Sequence, residues 1–292
     1  MTCREFEYFA PASVGQCTAL LKTYGSRAKI LAGGMSLIPV MKLRLGAPAY
    51  LIDINGISGL DYIRETRDSL RIGALTRHHA LETSSLVRRK EPLLAETAAW
   101  IGDPQVRNRG TIGGALVHAD PSGDWGATIL AMRGEMKLRG PARERVIAAD
   151  NFFVDTFTSA AKGNELLVEV RIPVPRRRSG GSYMKLERKS GDFATVGVAT
   201  QISLDEEGVC DYAGIGLTAV GMTNIRAKGA EAALLGKVPT DSTIEDAAEA
   251  ASEDASPMSD PLRGSVEYKK AMTKVFTRRG LQLAVKRAKG VA

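Results

Sequence analysis

The runs Ile30-Leu31-Ala32-Gly33-Gly34-Met35-Ser36 and Gly110-Thr111-Ile112-Gly113-Gly114-Ala115 each set a glycine pair beside an apolar, strand-like stretch. Paired glycines let backbone N–H groups converge on an anion with no Cβ in the way. In the first run Ser36 opens a helical turn, and the free N–H groups of a helix start attract phosphate. In the second, Thr111 adds a hydroxyl donor, and Asp124 further on can accept from sugar or ribityl hydroxyls. Two such corners that meet in space grip the two phosphates of a dinucleotide. Taken singly, each also reads as an ordinary turn, the second as a loop with a capped helix at Asp120-Pro121.

A third stretch, Tyr183 to Glu187, alternates like a half-exposed strand. Lys185 on it can stabilise negative charge on a reduced cofactor ring, or serve as a plain surface lysine. Other chemistry is poorly represented. No G-x-G-x-x-G follows a strand, and there is no P-loop, nucleophile elbow, H-E-x-x-H or C-x-x-C. Cys3, Cys17 and Cys210 are too few and too scattered for a disulfide framework, a zinc site or a four-thiolate cluster. His78 and His79 are adjacent and read as surface or capping residues; His118 either orients the second corner or packs as a neutral core histidine.

The chain has 292 residues, 44% hydrophobic and 25% charged, enough for two domains with substantial cores. No apolar run approaches the roughly 20 residues that span a bilayer, and the first residues lack the apolar core of a signal peptide, so a cytoplasmic location is expected. The net charge of +7 is uneven: seven acidic and no basic residues from Asp241 to Asp260, then eight basic residues against Glu267 alone from Gly264 to the end. Tyr268, Met272, Val275, Phe276 and Leu283 fall near one helical face, which points to a docked helix with a solvated basic side. No nucleic-acid recognition module is legible.

The positioning elements are set by periodicity and punctuation. Strands are expected at Phe6–Phe9, Ala28–Ala32, Tyr50–Ile54 and Leu70–Ala74. Helices are expected at Ser13–Tyr24, from a Thr76 cap through His78, His79 and Leu81, and at Leu93–Trp100. Further strands are expected at Glu135–Leu138, Val146–Ala148 and Leu166–Ile172. Pro173-Val174-Pro175, Arg176-Arg177-Arg178 and Gly180-Gly181 read as a linker. Beyond it, Ser182–Leu186, Thr195–Leu204 and Cys210–Val220 read as a β-meander, and 227–235, 243–251 and 265–288 as helices. This is an α/β start and an α+β end.

Together the runs resemble the FAD-binding medium subunit of the molybdenum hydroxylases, in particular the carbon monoxide dehydrogenase-like and xanthine dehydrogenase group. Ala32 to Pro39 with Met41-Lys42-Leu43-Arg44 is similar to that family's first FAD loop. Thr111 to Gly114 with His118-Ala119-Asp120-Pro121 and Asp124 is similar to its second. Tyr183, Lys185, Arg188, Asp192 and Ala194 resemble the opening of its C-terminal domain, and Ser259 to Tyr268 the segment before its last helix. Met35 stands where the family usually has Gln or His, and Ala115 where Asn, Ser or Asp is common.

The resemblance implies an α+β fold. A two-subdomain FAD-binding domain of the vanillyl-alcohol-oxidase (PCMH) type would span residues 1–175, divided near 58. A small antiparallel sheet with helices would span 176–292. It implies non-covalent FAD, with Ala32, Gly33, Gly34, Met35 and Ser36, and Thr111, Ile112, Gly113, Gly114 and Ala115, around the diphosphate. Ile101, Asp124, Leu167 and Lys185 would lie near the rest. It further implies a large molybdenum–pterin subunit, a small subunit with two two-iron, two-sulfur clusters, a dimer of heterotrimers, and electron flow through FAD to an external acceptor. A stand-alone flavin oxidase or reductase of the same fold, or a basic adaptor that has lost FAD, remain as rival readings.

Overall fold

The computed structural model describes residues 2–175 and 177–291; Met1, Arg176 and Ala292 lie outside the described residues, so the expected linker is described on either side of Arg176 only. At the start of the chain, β1 (Glu7–Phe9), α1 (Val14–Tyr24), β2 (Ala28–Leu31), α2 (Leu37–Lys42) and β3 (Tyr50–Asp53) build a parallel sheet in the order β1-β3-β2. Ser13 accepts from the Gln16 N–H to start α1, and Gly25 at φ +55° stops it. Cys17 and Leu21 of α1 bury against Ile52, Ile54 and Leu60. β2 runs directly into the first glycine corner, which turns the chain into α2.

The next part is built around the antiparallel sheet β4-β5-β10-β6-β7. Its strands are β4 (Ile63–Glu65), β5 (Ser69–Gly73), β6 (Glu135–Arg139), β7 (Glu144–Ala148) and β10 (Leu166–Pro173), with a hairpin of β8 (Phe153–Asp155) and β9 (Thr158–Ser159) beside it. Between β5 and β6 the chain runs through α3 (His78–Thr83), α4 (Ser85–Lys90), α5 (Pro92–Ala99), α6 (Pro104–Arg109), α7 (Ile112–His118) and α8 (Asp124–Ala131). Alternate strand residues Leu70 and Ile72, Met136 and Leu138, and Val170 and Ile172 share one core with Leu81, Leu93, Ile112 and Trp125 of the helices.

The C-terminal part is the antiparallel meander β11 (Ser179–Leu186), β12 (Val196–Leu204), β13 (Cys210–Thr218) and β14 (Ile225–Arg226), followed by α9 (Lys228–Leu234), α10 (Asp241–Asp254) and α11 (Val266–Ala288). These elements enclose a separate apolar cluster centred on Val196, Val198, Ile215, Ala247 and Leu281.

Several expectations are corrected. Thr76 caps no helix: its hydroxyl donates to the Tyr62 carbonyl at 3.0 Å, and Arg77 precedes α3 without a side-chain cap. Gly180 and Gly181 belong to β11, not to a linker. Asp120 ends in a turn, its carboxylate accepting from the Ser122 N–H at 2.8 Å, and α8 begins only at Asp124. The buried face of α11 is Lys269, Thr273, Thr277, Gly280, Leu281, Ala284, Val285 and Ala288; of the expected stripe Met272 and Phe276 pack beside that core, whereas Tyr268 is exposed. Small residues win there because the helix lies close on β11 and β12: the Ser182 hydroxyl donates to the Gly280 carbonyl at 3.0 Å.

Candidate functional site

The two glycine corners meet. An added Cβ on Gly33 would overlap the Arg109 carbonyl oxygen and come within 2.7 Å of the Gly110 Cα, so only glycine allows the backbones to touch. Ala32 faces Gly114 across the same junction, 3.6 Å from where a Cβ on that residue would stand. The junction borders a cleft of about 590 Å³, within the size range of small-molecule and cofactor sites.

The first corner presents a row of donors. Among the described residues, the N–H groups of Gly33, Gly34, Met35, Ser36 and Leu37 have no hydrogen-bond acceptor. Gly34 sits at φ +77°, the left-handed conformation that lets successive amides point into one concavity. Ser36 precedes α2, and its hydroxyl caps nothing.

The second corner is wired differently. The Ile112 N–H donates to the Thr76 carbonyl at 3.1 Å and the Gly113 N–H to the Ala74 carbonyl at 2.9 Å. The Gly114 N–H donates to the Thr111 hydroxyl oxygen at 3.1 Å, and the Ala115 N–H to the Thr111 carbonyl at 3.0 Å. This corner therefore does not offer the convergent amides expected of it from Ile112 to Ala115. Those donors start α7 and tie it to the segment after β5. The Thr111 hydroxyl hydrogen is left to donate outward.

Of the residues singled out in the sequence, Ala32, Gly33, Gly34, Met35, Ser36, Thr111, Gly113, Gly114, Ala115 and Leu167 line the cleft. Ile112 is fully buried in the core, and Ile101 packs against that core. Asp124 and Lys185 are brought together away from the cleft lining. Lys185 Nζ stands 3.1 Å from the Asp124 carboxylate and donates to the Trp100 carbonyl at 3.0 Å, with its side chain almost wholly buried. The Tyr183 hydroxyl donates to Asp124 at 2.6 Å. Burial pushes the Asp124 carboxyl upward, against the pull of Lys185 and the Tyr183 hydrogen bond. Asp124 starts α8 and Lys185 lies on β11, so this knot joins the C-terminal sheet to the helices behind the cleft.

His78 is buried and lines the cleft, contrary to a surface or capping role, whereas His79 is exposed. The Trp125 indole N–H donates to His78 Nδ1 at 3.1 Å, which leaves Nε2 as the protonated ring nitrogen. Burial beside Arg77 and Arg107 lowers this imidazole to about 4, so it is neutral at physiological pH. His118 also lines the cleft, its ring 5.1 Å from that of Phe157. Burial and a tautomer lock are not visible in a His-His pair, and no pattern in the sequence could have separated the two.

Comparison with known proteins gives the family and the fold. Residues 4–175 match the family described as FAD binding domain in molybdopterin dehydrogenase, and residues 181–284 match the CO dehydrogenase flavoprotein C-terminal domain. The chain belongs to the FAD-binding medium subunits of the molybdenum hydroxylases. This medium subunit is 44% identical over 279 residues to the carbon monoxide dehydrogenase medium chain of Hydrogenophaga pseudoflava, covering 96% of each chain. It is 38% identical over 284 residues to the 6-hydroxypseudooxynicotine dehydrogenase complex subunit alpha of Paenarthrobacter nicotinovorans, covering 97% of this chain and 96% of that one. Its fold superposes on a solved chain of the H. pseudoflava carbon monoxide dehydrogenase with a TM-score of 0.96 at 46% identity, over 98% of this chain and 99% of that chain. The cofactor of the medium subunit is FAD. The unpaired amide row is the donor set a diphosphate requires, and the cleft is large enough for an extended cofactor. No helix among the described residues is long and apolar enough to cross a membrane.

Proposed function

We propose that this medium subunit is the electron-transfer flavoprotein of a cytoplasmic molybdenum hydroxylase, with its FAD diphosphate in the cleft between the two glycine corners. The unpaired N–H row from Gly33 to Leu37 carries the reading, since a run of convergent donors facing a cavity suits an anionic partner. In this assignment Ala32 to Ser36 wrap the diphosphate, Thr111 donates its hydroxyl, and Ile101, Asp124, Leu167 and Lys185 serve the remainder of the cofactor. Asp124 and Lys185 do so by fixing the wall at α8 and β11. FAD supplies the redox chemistry when bound; the chain supplies donors, shape and exclusion of water.

The partners are a large molybdenum–pterin subunit that oxidises the substrate and a small subunit with two two-iron, two-sulfur clusters, assembled as a dimer of heterotrimers. Electrons enter from the small subunit and leave to an external acceptor. Residues 1–175, in two parts divided near 58, act as the FAD-binding domain and residues 176–292 as the C-terminal domain. The test is purification of the native complex: FAD, molybdenum and iron should co-elute, and substrate should bleach the flavin anaerobically. A flavoprotein that elutes alone and is reduced directly by its own substrate would instead establish the stand-alone oxidase or reductase.

A further inference from the structure

The glycine corners are far apart in sequence, and something must hold them at one spacing. Asn55, in the turn after β3, donates through Nδ2 to the Ala32 carbonyl at 2.8 Å and to the Asp53 carboxylate at 2.6 Å. Its Oδ1 accepts from Arg77 Nη2 at 2.7 Å. Arg77 Nη1 donates to the Arg109 carbonyl, the group that Gly33 is bare enough to touch. A chain of hydrogen bonds thus runs from Ala32 of the first corner, through two side chains, to Arg109 at the threshold of the second.

The chemistry leaves the amide one orientation. Arg77 can only donate, whereas the Ala32 carbonyl and the Asp53 carboxylate can only accept. Asp53 is itself held by the Tyr8 hydroxyl at 2.7 Å and the Asn55 N–H at 2.9 Å. The Arg77 backbone adds a second hold: flanking it, the His78 N–H donates to the Gly110 carbonyl and the Ile112 N–H to the Thr76 carbonyl, both at 3.1 Å. Neither Asn55 nor Arg77 lines the cleft.

We propose that Asn55 and Arg77 are positioning residues for FAD, a polar clasp that holds the two corners at the spacing a diphosphate needs. The proposal rests on the reading that places FAD in this cleft. A donor row is useful only if the opposite wall stays in reach, and preorganised walls bind more tightly because less ordering remains to be done on binding. The Arg77 contacts are charge-assisted, the stronger class of hydrogen bond.

The test is titration of FAD into the flavin-stripped full-length chain, monitored by quenching of flavin fluorescence, with the melting temperature of the stripped protein measured alongside. N55A and R77M should each raise the Kd about tenfold or more. The double variant should bind within about twofold of the weaker single, because both break one clasp. R77K, which keeps a donor for the Arg109 carbonyl, should recover part of the affinity. Kd values for N55A and R77M within twofold of wild type would overturn the proposal, as would losses that R77K does not relieve and that merely track the fall in melting temperature. A115W, which fills the cleft itself, separates the two claims. If it binds FAD normally, the cleft reading fails; if it alone loses FAD, only the clasp fails.

Discussion

The corner at Gly33–Gly34 and the corner at Gly113–Gly114 each hold a glycine pair and face the same cleft, yet their amides are spent in opposite ways. From Gly33 to Leu37 the N–H groups are open; from Ile112 to Ala115 they are consumed by Thr76, Ala74 and Thr111. The difference comes from where each pair sits relative to its helix. At the first corner, a left-handed glycine turns the chain away before α2 begins. In the second, the glycines already lie within the first turn of α7, where Thr111 caps and the Ala74–Thr76 segment supplies carbonyls. One corner is a nest, and the other is a brace that makes the nest's opposite wall. Glycine in a brace is selected for close packing, and glycine in a nest for donor geometry as well.

The sharpest way to break this comparison is Gly33→Val, which forces a side chain against the Arg109 carbonyl. Overpacking costs about 1–3 kcal/mol, so the FAD Kd should rise by up to about 100-fold, read by flavin content after gel filtration. Full flavin occupancy in this variant would remove the contact between corners from the binding mechanism. Gly113→Ala tests the brace: its Cβ would stand 2.6 Å from both the Cβ and the carbonyl oxygen of Ala74. Here a stability loss of about 1–3 kcal/mol should show in denaturant melts of flavin-free protein, with the smaller change in Kd. If Gly113→Ala instead weakened FAD with no change in stability, the brace would be acting as a second nest.

Acidity probes the same wall through His78, whose ring lies against Gly110. Its folded value of about 4 lies below the ordinary 6.5, so between these limits the unfolded chain binds the extra proton. The stability contribution is complete above about pH 6.5 and is lost as pH falls toward 4, at no more than about 1.4 kcal/mol per unit. His78→Gln should flatten that part of the stability profile; an unchanged slope would show that other groups set it. The smallest effect is expected for Thr111→Val, which removes the acceptor for the Gly114 N–H and should cost about 1 kcal/mol.

Much of this fold was legible because its signals are local. Ser13 and Gly25 bound α1, and alternation marks β5, β6 and β10. The helix α8 carries no such signal: it has no side-chain cap and is buried on every side, whereas α6 and α7 are short but begin at the capping side chains of Asp103 and Thr111. The packed face of α11 is only partly the apolar stripe that its sequence suggests: Met272 and Phe276 flank the core, but close approach to a sheet selects Thr, Gly and Ala at its centre. At the site, the glycine pairs announced themselves by composition. The direction of their amides did not, since that depends on which carbonyls the fold brings near. Asn55 and Arg77 lie 22 positions apart in no shared motif; only the meeting of distant segments makes them partners.

The buried contact of Lys185 with Asp124 has a consequence for how proteins of this kind can be recombined. Removing Lys185 strands the Asp124 carboxylate away from water, a penalty of about 3–5 kcal/mol, whereas removing Asp124 leaves Lys185 with Glu187 at 3.6 Å, and changing the pair together can be nearly neutral. A chimera that takes its C-terminal meander from one relative and its α8 from another will therefore fold well only when the two inherited positions match in charge. At the seam between the halves this pair is the most deeply buried of four such matches, the others being Arg133 with Glu231, Asp150 with Arg226 and Glu96 with Arg287.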